Sequence, residues 1–276
     1  MAVVAFWNIN KRKRQGLIGD LVREYAVDIV ALAECEIDES NLLYRLNVGQ
    51  ERKYYPVDIL PSRVKIYSRY DADCFEPIRD SGGITIRHLS LPGSEGILLV
   101  AVHLPSRLYR REEEQYINTT VVAKEVVEAE HIVGHRRTII FGDFNMNPFE
   151  MGMIGAGAMH AVMDRRIAEK GSRVISGKRY SFFYNPMWGK MGDAEDTTPG
   201  TYYYNSGTEV CLFWNMFDQV IVRPELLKDF DSKKLKIVTQ VGEKSLVSES
   251  GIPRRNVASD HLPIIFEIKV RGIEDE

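Results

Sequence analysis

The sequence of 276 residues predicts a mixed α/β fold, because short apolar runs alternate with helical patterns through its first half. Further strand-like runs follow in the second half. Apolar residues make up 44% of the chain and charged residues 27%. This is the composition of a soluble globular protein, and it excludes the disordered, collagenous and disulfide-rich classes.

The first strand–helix–strand unit occupies the first 33 residues. Residues 3–7 and residues 29–33 are apolar runs typical of buried strands. Between them, apolar residues recur at helical spacing from Leu17 to Tyr25. We therefore expect a helix that packs on a sheet containing both strands.

The second unit lies between residues 97 and 141. Apolar runs at 97–102 and 138–141 predict two more buried strands. Between them, residues 122, 126, 129 and 133 are apolar, at steps of four, three and four. That stripe predicts a helix packed on the sheet.

A further helix is predicted to start at the Asn-Pro-Phe-Glu segment at 147–150 and to run toward Met163. The glycines at 152, 155 and 157 would lie inside it; no Lys-Ser/Thr follows them, so we interpret them as close packing positions and not as a phosphate loop. Later strands are predicted at residues 182–184, 202–204, 219–222, 235–238 and 263–270.

The chain shows no internal repeat and no Pro/Gly/Ser linker, which favours one domain over residues 1–270 with a frayed tail at 271–276. The three cysteines are far apart and form no C-x-x-C pair, which favours a reducing compartment. The apolar start of the chain precedes its first basic run, the reverse of a secretory signal, and no apolar run reaches 18 residues. We therefore expect a cytoplasmic protein with no membrane anchor.

Polar residues suited to chemistry lie at the ends of the predicted strands. In an α/β sheet this is where ligands bind, because strand ends deliver side chains to a shared edge. The candidates that follow strands are Asn8, Glu34, His103, Asp143 and Asn145, and those that precede strands are Asp218, Asp260 and His261.

This set predicts a divalent cation, because its four carboxylates would repel one another if they converged without one. Oxygen ligands, with no cysteine and no H-E-x-x-H pair, favour Mg²⁺, with Mn²⁺ as a substitute, over zinc. Such an ion can polarise a phosphate while a histidine and a carboxylate handle the water and the proton. The constellation therefore predicts phosphoester hydrolysis.

The order of these motifs resembles the endonuclease/exonuclease/phosphatase superfamily typified by DNase I and exonuclease III. The landmarks are Trp7-Asn8, Leu32-Ala33-Glu34, Val102-His103-Leu104, Gly142-Asp143-Phe144-Asn145, Phe217-Asp218-Gln219-Val220 and Ser259-Asp260-His261-Leu262-Pro263. The resemblance covers nearly the whole chain. It implies a two-sheet β-sandwich flanked by helices, the DNase I-like four-layer sandwich, and a metal-dependent hydrolase, most simply a nuclease.

The resemblance also implies roles for the metal and water residues. Glu34 is similar to the principal metal ligand, with Asp260 and Asn8 completing the site. Asp143 is similar to the residue that positions or deprotonates the attacking water, and Asn145 to the amide that holds the phosphate.

The histidines match the family as well. His261 resembles the histidine that contacts the scissile phosphate or transfers a proton, with Asp218 orienting its ring. His103 occupies the place where DNase I-like members have a second histidine. Asn10 stands where abasic-site endonucleases carry an acidic residue, and the inositol polyphosphate 5-phosphatase signature is absent, so both of those branches are disfavoured.

The net charge of −3, from 36 basic and 39 acidic residues, gives no indication of a polyanion partner, but the basic residues are clustered. Three loops beside the candidate site carry them, one of which is Arg254-Arg255 before Asp260. An aromatic segment at residues 179–217 supplies Trp188 and one face of residues 202–204 as candidates to stack on nucleobases. We expect substrate contacts from Lys11, Arg12, Arg14, Arg107, Arg111, Trp188 and Arg254. A local positive surface with aromatics favours nucleic acid as the substrate.

Three alternatives stay open at this point. The basic loops are also compatible with an ordinary solvated surface. A phosphatase or phosphodiesterase acting on a small molecule or a lipid headgroup would use the same residues. A non-catalytic binding protein is a third class, although no metal or phosphate residue has been lost.

Overall fold

The computed structural model describes residues 1–57, 62–106, 112–193 and 198–270. Its helices are α1 (Gln15–Glu24), α2 (Glu39–Asn47), α3 (Glu112–Val133), α4 (Met151–Ile154) and α5 (Arg165–Ala168). The strands of its first half are β1 (Ala2–Asn8), β2 (Ile29–Ala33), β3 (Tyr55–Pro56), β4 (Val64–Ser68), β5 (Phe75–Ser81), β6 (Ile84–Leu89), β7 (Ile97–His103) and β8 (Thr138–Asp143). Those of its second half are β9 (Ala161–Val162), β10 (Ser172–Ile175), β11 (Lys178–Ser181), β12 (Phe183–Tyr184), β13 (Tyr202–Tyr204), β14 (Phe213–Asn215), β15 (Asp218–Val222), β16 (Lys236–Ile237), β17 (Gln240–Val241), β18 (Lys244–Ser245) and β19 (Ile264–Ile268).

Two mixed sheets dominate the architecture, which confirms the predicted α/β sandwich. The six-stranded sheet has the order β16-β19-β1-β2-β4-β3, and the seven-stranded sheet has the order β5-β6-β7-β8-β15-β12-β9. The pairs β1/β2 and β7/β8 are parallel, as expected for strands joined through a helix. The carboxyl ends of each parallel pair therefore meet at one edge of its sheet.

The core lies between the two sheets and continues under α3. Strand alternation separates the two faces of β7: Leu99 belongs to the core shared with the six-stranded sheet, and Val100 packs in the cluster beneath α3. Phe141 of β8 and Phe266 of β19 meet across the sandwich with ring centroids 5.4 Å apart. The near-continuous apolar character of these strands follows from burial on both faces.

The two strand–helix–strand units occur where the sequence predicts them. The strands at residues 29–33 and 202–204 have the predicted bounds. Strands β7 and β8 extend one and two residues beyond prediction, because His103 and Asp143 still pair with each other in register. The predicted tail at 271–276 lies outside the described residues.

The predicted helix from residue 147 toward 163 is wrong in length, since α4 covers only Met151–Ile154. Its start is wrong as well, since Glu150 and not Asn147 is the N-cap; the Asn147 backbone N–H donates to Glu150 Oε1 at 2.9 Å, but this bond lies ahead of the helix. The chain then turns extended at Gly155. A Cβ at Gly152 would lie 2.6 Å from Met146 Sδ, so close packing does explain the glycine there.

The β5–β6 hairpin and α2 were not predicted from the sequence. The hairpin turns through Gly82 and Gly83, whose φ angles of +49° and +109° favour glycine.

Within the described ranges, no helix combines the length and apolarity needed to cross a membrane.

Candidate active site

The strand ends of the six-stranded sheet supply one half of the site. Asn8 ends β1, and Glu34 follows the last residue of β2. Asn8 Nδ2 donates to Glu34 Oε1 at 3.4 Å. The segment that enters β19 is tied to the same edge, because Ser259 Oγ donates to the Asn8 carbonyl at 2.7 Å. This bond places Asp260 beside the end of β1.

The seven-stranded sheet supplies the other half. His103 and Asp143 end neighbouring parallel strands in register, and Asp218 opens β15 directly opposite Asp143. Asn145 lies two residues beyond β8, where its backbone N–H donates to Asp143 Oδ1 at 2.8 Å. This local turn is typical of an aspartate that hydrogen-bonds its own backbone two residues on.

A cavity of about 570 Å³, here called the rim cavity, opens between these two edges. Its lining includes seven of the predicted catalytic and metal-ligating residues, namely Asn8, Glu34, His103, Asp143, Asn145, Asp260 and His261. Glu34 and Asp260 therefore face one space, which the cation hypothesis requires. Asp218 is fully buried behind His261.

Polar contacts connect the two halves across the rim cavity. Asn8 Nδ2 donates to Asp143 Oδ2 at 3.0 Å, which joins the ends of β1 and β8. His103 Nε2 lies 3.5 Å from Glu34 Oε1. The relative position of the two sheets therefore fixes the spacing of these side chains.

His261 and Asp218 form a buried pair. His261 Nδ1 lies 2.8 Å from Asp218 Oδ2, and His261 Nε2 points toward Asp143 Oδ2 at 3.9 Å. Burial alone would lower the pKa of His261, but the nearby Asp218 and Asp143 carboxylates outweigh it and raise this pKa to about 10. At neutral pH the ring is therefore a cation with Nε2 directed at the rim cavity.

The pKa values of the two carboxyls that flank His103, those of Glu34 and Asp143, are shifted in opposite directions. The hydrogen bond from His103 lowers the pKa of Glu34, against an opposing effect of burial. Complete burial raises the pKa of Asp143, in spite of the nearby histidines. Two carboxyls with divergent pKa values in one cavity are a common feature of hydrolytic sites.

Unusual backbone conformations lie at the site. Glu34 and Asn145 have φ angles of +49° and +51°, a region that non-glycine residues rarely adopt. Residues held in this region cluster at functional sites. Gly142 has a φ of +139°, and a Cβ there would lie 2.1 Å from the Val102 carbonyl oxygen. Only glycine can therefore precede Asp143 at this close approach of β8 to β7.

The comparison with known families agrees with this geometry. A family model described as the Endonuclease/Exonuclease/phosphatase family matches residues 5–261. The chain belongs to this family. The resemblance inferred from the sequence motifs is thus confirmed. A comparison with curated protein sequences gives no match.

Several solved structures share the fold at low sequence identity. A family protein from Leptotrichia buccalis aligns with a TM-score of 0.58 and 14% identity, covering 98% of this chain and 100% of that one. A family protein from Bacteroides thetaiotaomicron gives 0.57 and 17%, with 97% of each chain covered. TDP2 from D. rerio, complexed with a single-stranded DNA product, gives 0.56 and 15%, covering 98% of this chain and 99% of that chain.

The donor atoms of the site fit the metal-dependent phosphoesterase chemistry of the family. Asp143, Asp218 and His261 each present one donor atom, and these three atoms lie within 4.8 Å of one another. Asp218 Oδ1 is buried and has no hydrogen-bond partner among the described residues. A buried, unsatisfied carboxylate oxygen is an atom that a cation can stabilise. The Glu34 and Asp260 carboxylates add oxygen donors on the open side of the same cavity.

The predicted basic contacts are dispersed. Lys11 and Arg12 are exposed, and Lys11 Nζ lies 3.4 Å from Glu36 Oε1. Arg14 donates to the carbonyls of Asn256 and Ala258 at 2.5 and 3.3 Å, so its guanidinium stabilises the loop before Asp260.

The other predicted substrate contacts also differ in position. Arg254 lines a neighbouring pocket and not the rim cavity. Arg107 and Arg111 lie outside the described residues. The structure does not bring Trp188 to the rim cavity, because its ring lies against Phe149 with centroids 6.5 Å apart.

Three residues at the site were assigned no specific contact from the sequence, although Arg255 was placed on a basic loop and residues 202–204 among the stacking candidates. Ser259 ties the Asp260 segment to β1. Tyr202 lies against His261 with ring centroids 4.6 Å apart and stacks on Phe217 at 5.3 Å. Arg255 Nε lies 4.0 Å from Asp260 Oδ2. The tyrosine run at 202–204 was a usable signal, but strand alternation alone does not say which face meets the site.

Proposed function

We propose that this protein is a Mg²⁺-dependent phosphoesterase that hydrolyses phosphodiester bonds in nucleic acid by in-line attack of water. The observation that carries the proposal is the rim cavity. It combines the buried Asp143 carboxylate, the His261 ring that Asp218 holds from behind, and the acidic side chains of Glu34 and Asp260 in one space. Hydrolysis of a phosphate ester requires these kinds of group together.

Glu34, Asn8 and Asp260 are the residues that we propose as the Mg²⁺ ligands. Their side chains offer the hard oxygen donors that Mg²⁺ prefers, and all three line the rim cavity. Asp143, Asp218 and His261 also lie close enough to hold an ion, but Nδ1 of His261 is already held by Asp218 at 2.8 Å, so we assign these three residues to the water and the phosphate. When bound, Mg²⁺ would neutralise phosphate charge and stabilise the leaving oxygen.

The protein side chains would divide the remaining work. Asp143, whose pKa is raised, would orient the attacking water and accept its proton. The cationic His261 would contact the phosphate through Nε2. Asn145 Nδ2 donates to the Leu104 carbonyl at 2.9 Å; among the described residues its second N–H has no partner, and it would bind a phosphate oxygen.

A nucleic-acid substrate is supported by charge and by the nature of the cavity wall. Exposed Lys11 and Arg12 follow Asn8, and Arg254 and Arg255 precede Asp260. Tyr202 and Tyr204 line the rim cavity and could stack on bases. Among proteins of the same fold, TDP2 from D. rerio has been solved with a DNA product.

Hydrolysis assays with the purified protein test this proposal. The substrates are single- and double-stranded DNA, RNA, bis(p-nitrophenyl) phosphate, simple phosphate monoesters and phosphoinositide vesicles, each with Mg²⁺ or with EDTA. We expect nucleic acid to be cleaved with Mg²⁺ and not with EDTA. Preferential hydrolysis of a monoester or a lipid headgroup would contradict the nucleic-acid assignment.

Matched variants connect the activity to the cavity. Glu34→Gln and Asp143→Asn should each lower kcat about 100-fold or more, because each removes a charge from the reacting space. Glu36→Gln is the control, since Glu36 lies two residues from Glu34 but is exposed and does not line the rim cavity. Equal activity in Glu34→Gln and Glu36→Gln would refute the proposed role of Glu34.

A further inference from the structure

A second pocket, here called the side pocket, adjoins the rim cavity. It has a volume of about 660 Å³ and is lined by residues 203–205, Ser248 and residues 252–257. Tyr204 lines both the side pocket and the rim cavity. The two spaces therefore share one wall, and a chain-like ligand could pass over Tyr204 from one to the other.

The shared wall is held in place by the β13–β14 hairpin. Tyr203 pairs with Trp214, and their rings make an edge contact with centroids 5.4 Å apart. Because side chains alternate along a strand, Tyr204 projects to the opposite face from Tyr203. Tyr204 is 42% exposed, so its ring offers a large aromatic surface to a ligand.

Arginine connects the side pocket to the acidic part of the rim cavity. Arg255 Nη2 donates to the Tyr203 carbonyl at 3.4 Å, and Arg255 Nε lies 4.0 Å from Asp260 Oδ2. Arg254, the next residue, is exposed on the same pocket. Two guanidinium groups thus border a pocket whose other walls include the apolar side chains of Ile252, Pro253 and Val257.

The side pocket combines an apolar wall, one exposed aromatic ring and two arginines, and these are the groups that bind a nucleotide. A nucleobase stacks on aromatic and apolar surfaces, and its phosphate binds guanidinium. We propose that the side pocket binds the nucleotide adjacent to the scissile phosphate, with its base on Tyr204 and its phosphate on Arg254 and Arg255. This inference rests on the proposed nucleic-acid substrate. It predicts that the nucleic-acid strand leaves the rim cavity toward the side pocket.

Binding of a fluorescent single-stranded DNA pentamer, measured by anisotropy in EDTA over a range of salt concentrations, tests this subsite. Arg254→Ala should lower the slope of log affinity against log salt by about 0.7, because one phosphate contact is lost from a single strand. Asn205→Trp, which fills the pocket with an indole, should weaken binding about fivefold or more, the effect of losing one stacked base. The control is Arg179→Ala, an exposed arginine on the β10–β11 hairpin, for which slope and affinity should be unchanged.

Kinetics separate this subsite from the proposed function. The ratio of kcat/KM for the pentamer to that for bis(p-nitrophenyl) phosphate, which has no neighbouring nucleotide, should fall about fivefold or more in both subsite variants. If the wild-type protein hydrolyses neither diester, the proposed function fails, and the anisotropy arm alone decides the subsite. Unchanged affinity, salt slope and kcat/KM ratio in Arg254→Ala and Asn205→Trp would overturn the subsite. The subsite would also be overturned if these two variants lost binding to anionic lipid vesicles but bound the DNA pentamer as the wild type does.

Discussion

Replacement of Asp218 by Asn tests the electrostatic basis of the site most fully. Asn keeps the shape of the side chain and an oxygen that can accept the hydrogen bond from His261 Nδ1, but it removes the charge. Asp218 is completely buried, and its Oδ2 lies 2.8 Å from the ring. The variant should therefore lower the pKa of His261 from about 10 while leaving the packing intact.

The size of the effect follows from the charge that is lost. Removing an adjacent opposite charge changes a pKa by roughly 1–3 units, which corresponds to about 1.4–4 kcal/mol of stability. The sign follows from linkage. The pKa of His261 in the folded protein, about 10, exceeds its ordinary value of 6.5. The stabilisation is therefore complete below pH 6.5 and disappears as the pH rises through 10.

Urea denaturation in EDTA, with wild type and Asp218→Asn compared at pH 6.5 and at pH 10.5, measures this difference. EDTA removes any effect of bound cations. We expect Asp218→Asn to be about 1.4–4 kcal/mol less stable at pH 6.5 and nearly equal to wild type at pH 10.5. A loss of stability that is the same at both pH values would refute a charge-based role of Asp218 and point to packing alone.

Two further variants test the framework that holds the site. Gly142→Ala should destabilise the protein by about 2 kcal/mol or more in urea denaturation, because a Cβ would meet the Val102 carbonyl oxygen at 2.1 Å and the φ of +139° suits glycine; stability within 0.5 kcal/mol of wild type would contradict this reading of the strand contact. Arg14→Ala should cost about 1 kcal/mol and raise proteolytic cleavage in the loop at residues 254–258, since it removes the donors to the Asn256 and Ala258 carbonyls; unchanged cleavage there would show that other contacts hold the loop.

The positions of the main site residues could be predicted from the sequence because they follow strands. A buried parallel strand is a continuous apolar run, and its last residue reaches the edge of the sheet. Asn8, His103 and Asp143 are such residues, and the pairing register brings His103 opposite Asp143. Glu34 needed one further feature, a left-handed turn directly after β2, which the sequence does not reveal.

Predictions that depended on side-chain direction were less successful. The aromatic segment was expected to contribute Trp188 and one face of residues 202–204. Tyr202 and Tyr204 do line the rim cavity, but Trp188 does not. Composition counts aromatic rings without saying which face of a strand or turn carries them. Arg14 was likewise expected at the substrate, whereas its guanidinium binds backbone carbonyls. A run of basic residues in the sequence does not reveal which side chains stay free at the surface and which bind other parts of the protein.

The shortened α4 shows how tertiary packing overrides a local start signal. The hydrogen bond between Asn147 and Glu150 forms, but it lies ahead of the helix. The glycines have low helix propensity and here allow close approach to neighbouring side chains. Gly155 packs against Tyr116 of α3, with only 2.7 Å between its ideal Cβ position and Tyr116 Cε2. The position of α3 relative to α4 is a long-range property, so the end of the helix could not be inferred locally.

The position of bound Mn²⁺, located by anomalous scattering in a crystal soaked with MnCl₂, decides whether Glu34 and Asp260 hold the cation together. We expect one peak in the rim cavity within coordination distance of both residues, and its loss in a Glu34→Gln crystal. A peak held instead by Asp143, Asp218 and His261, or no peak in the rim cavity, would contradict this expectation.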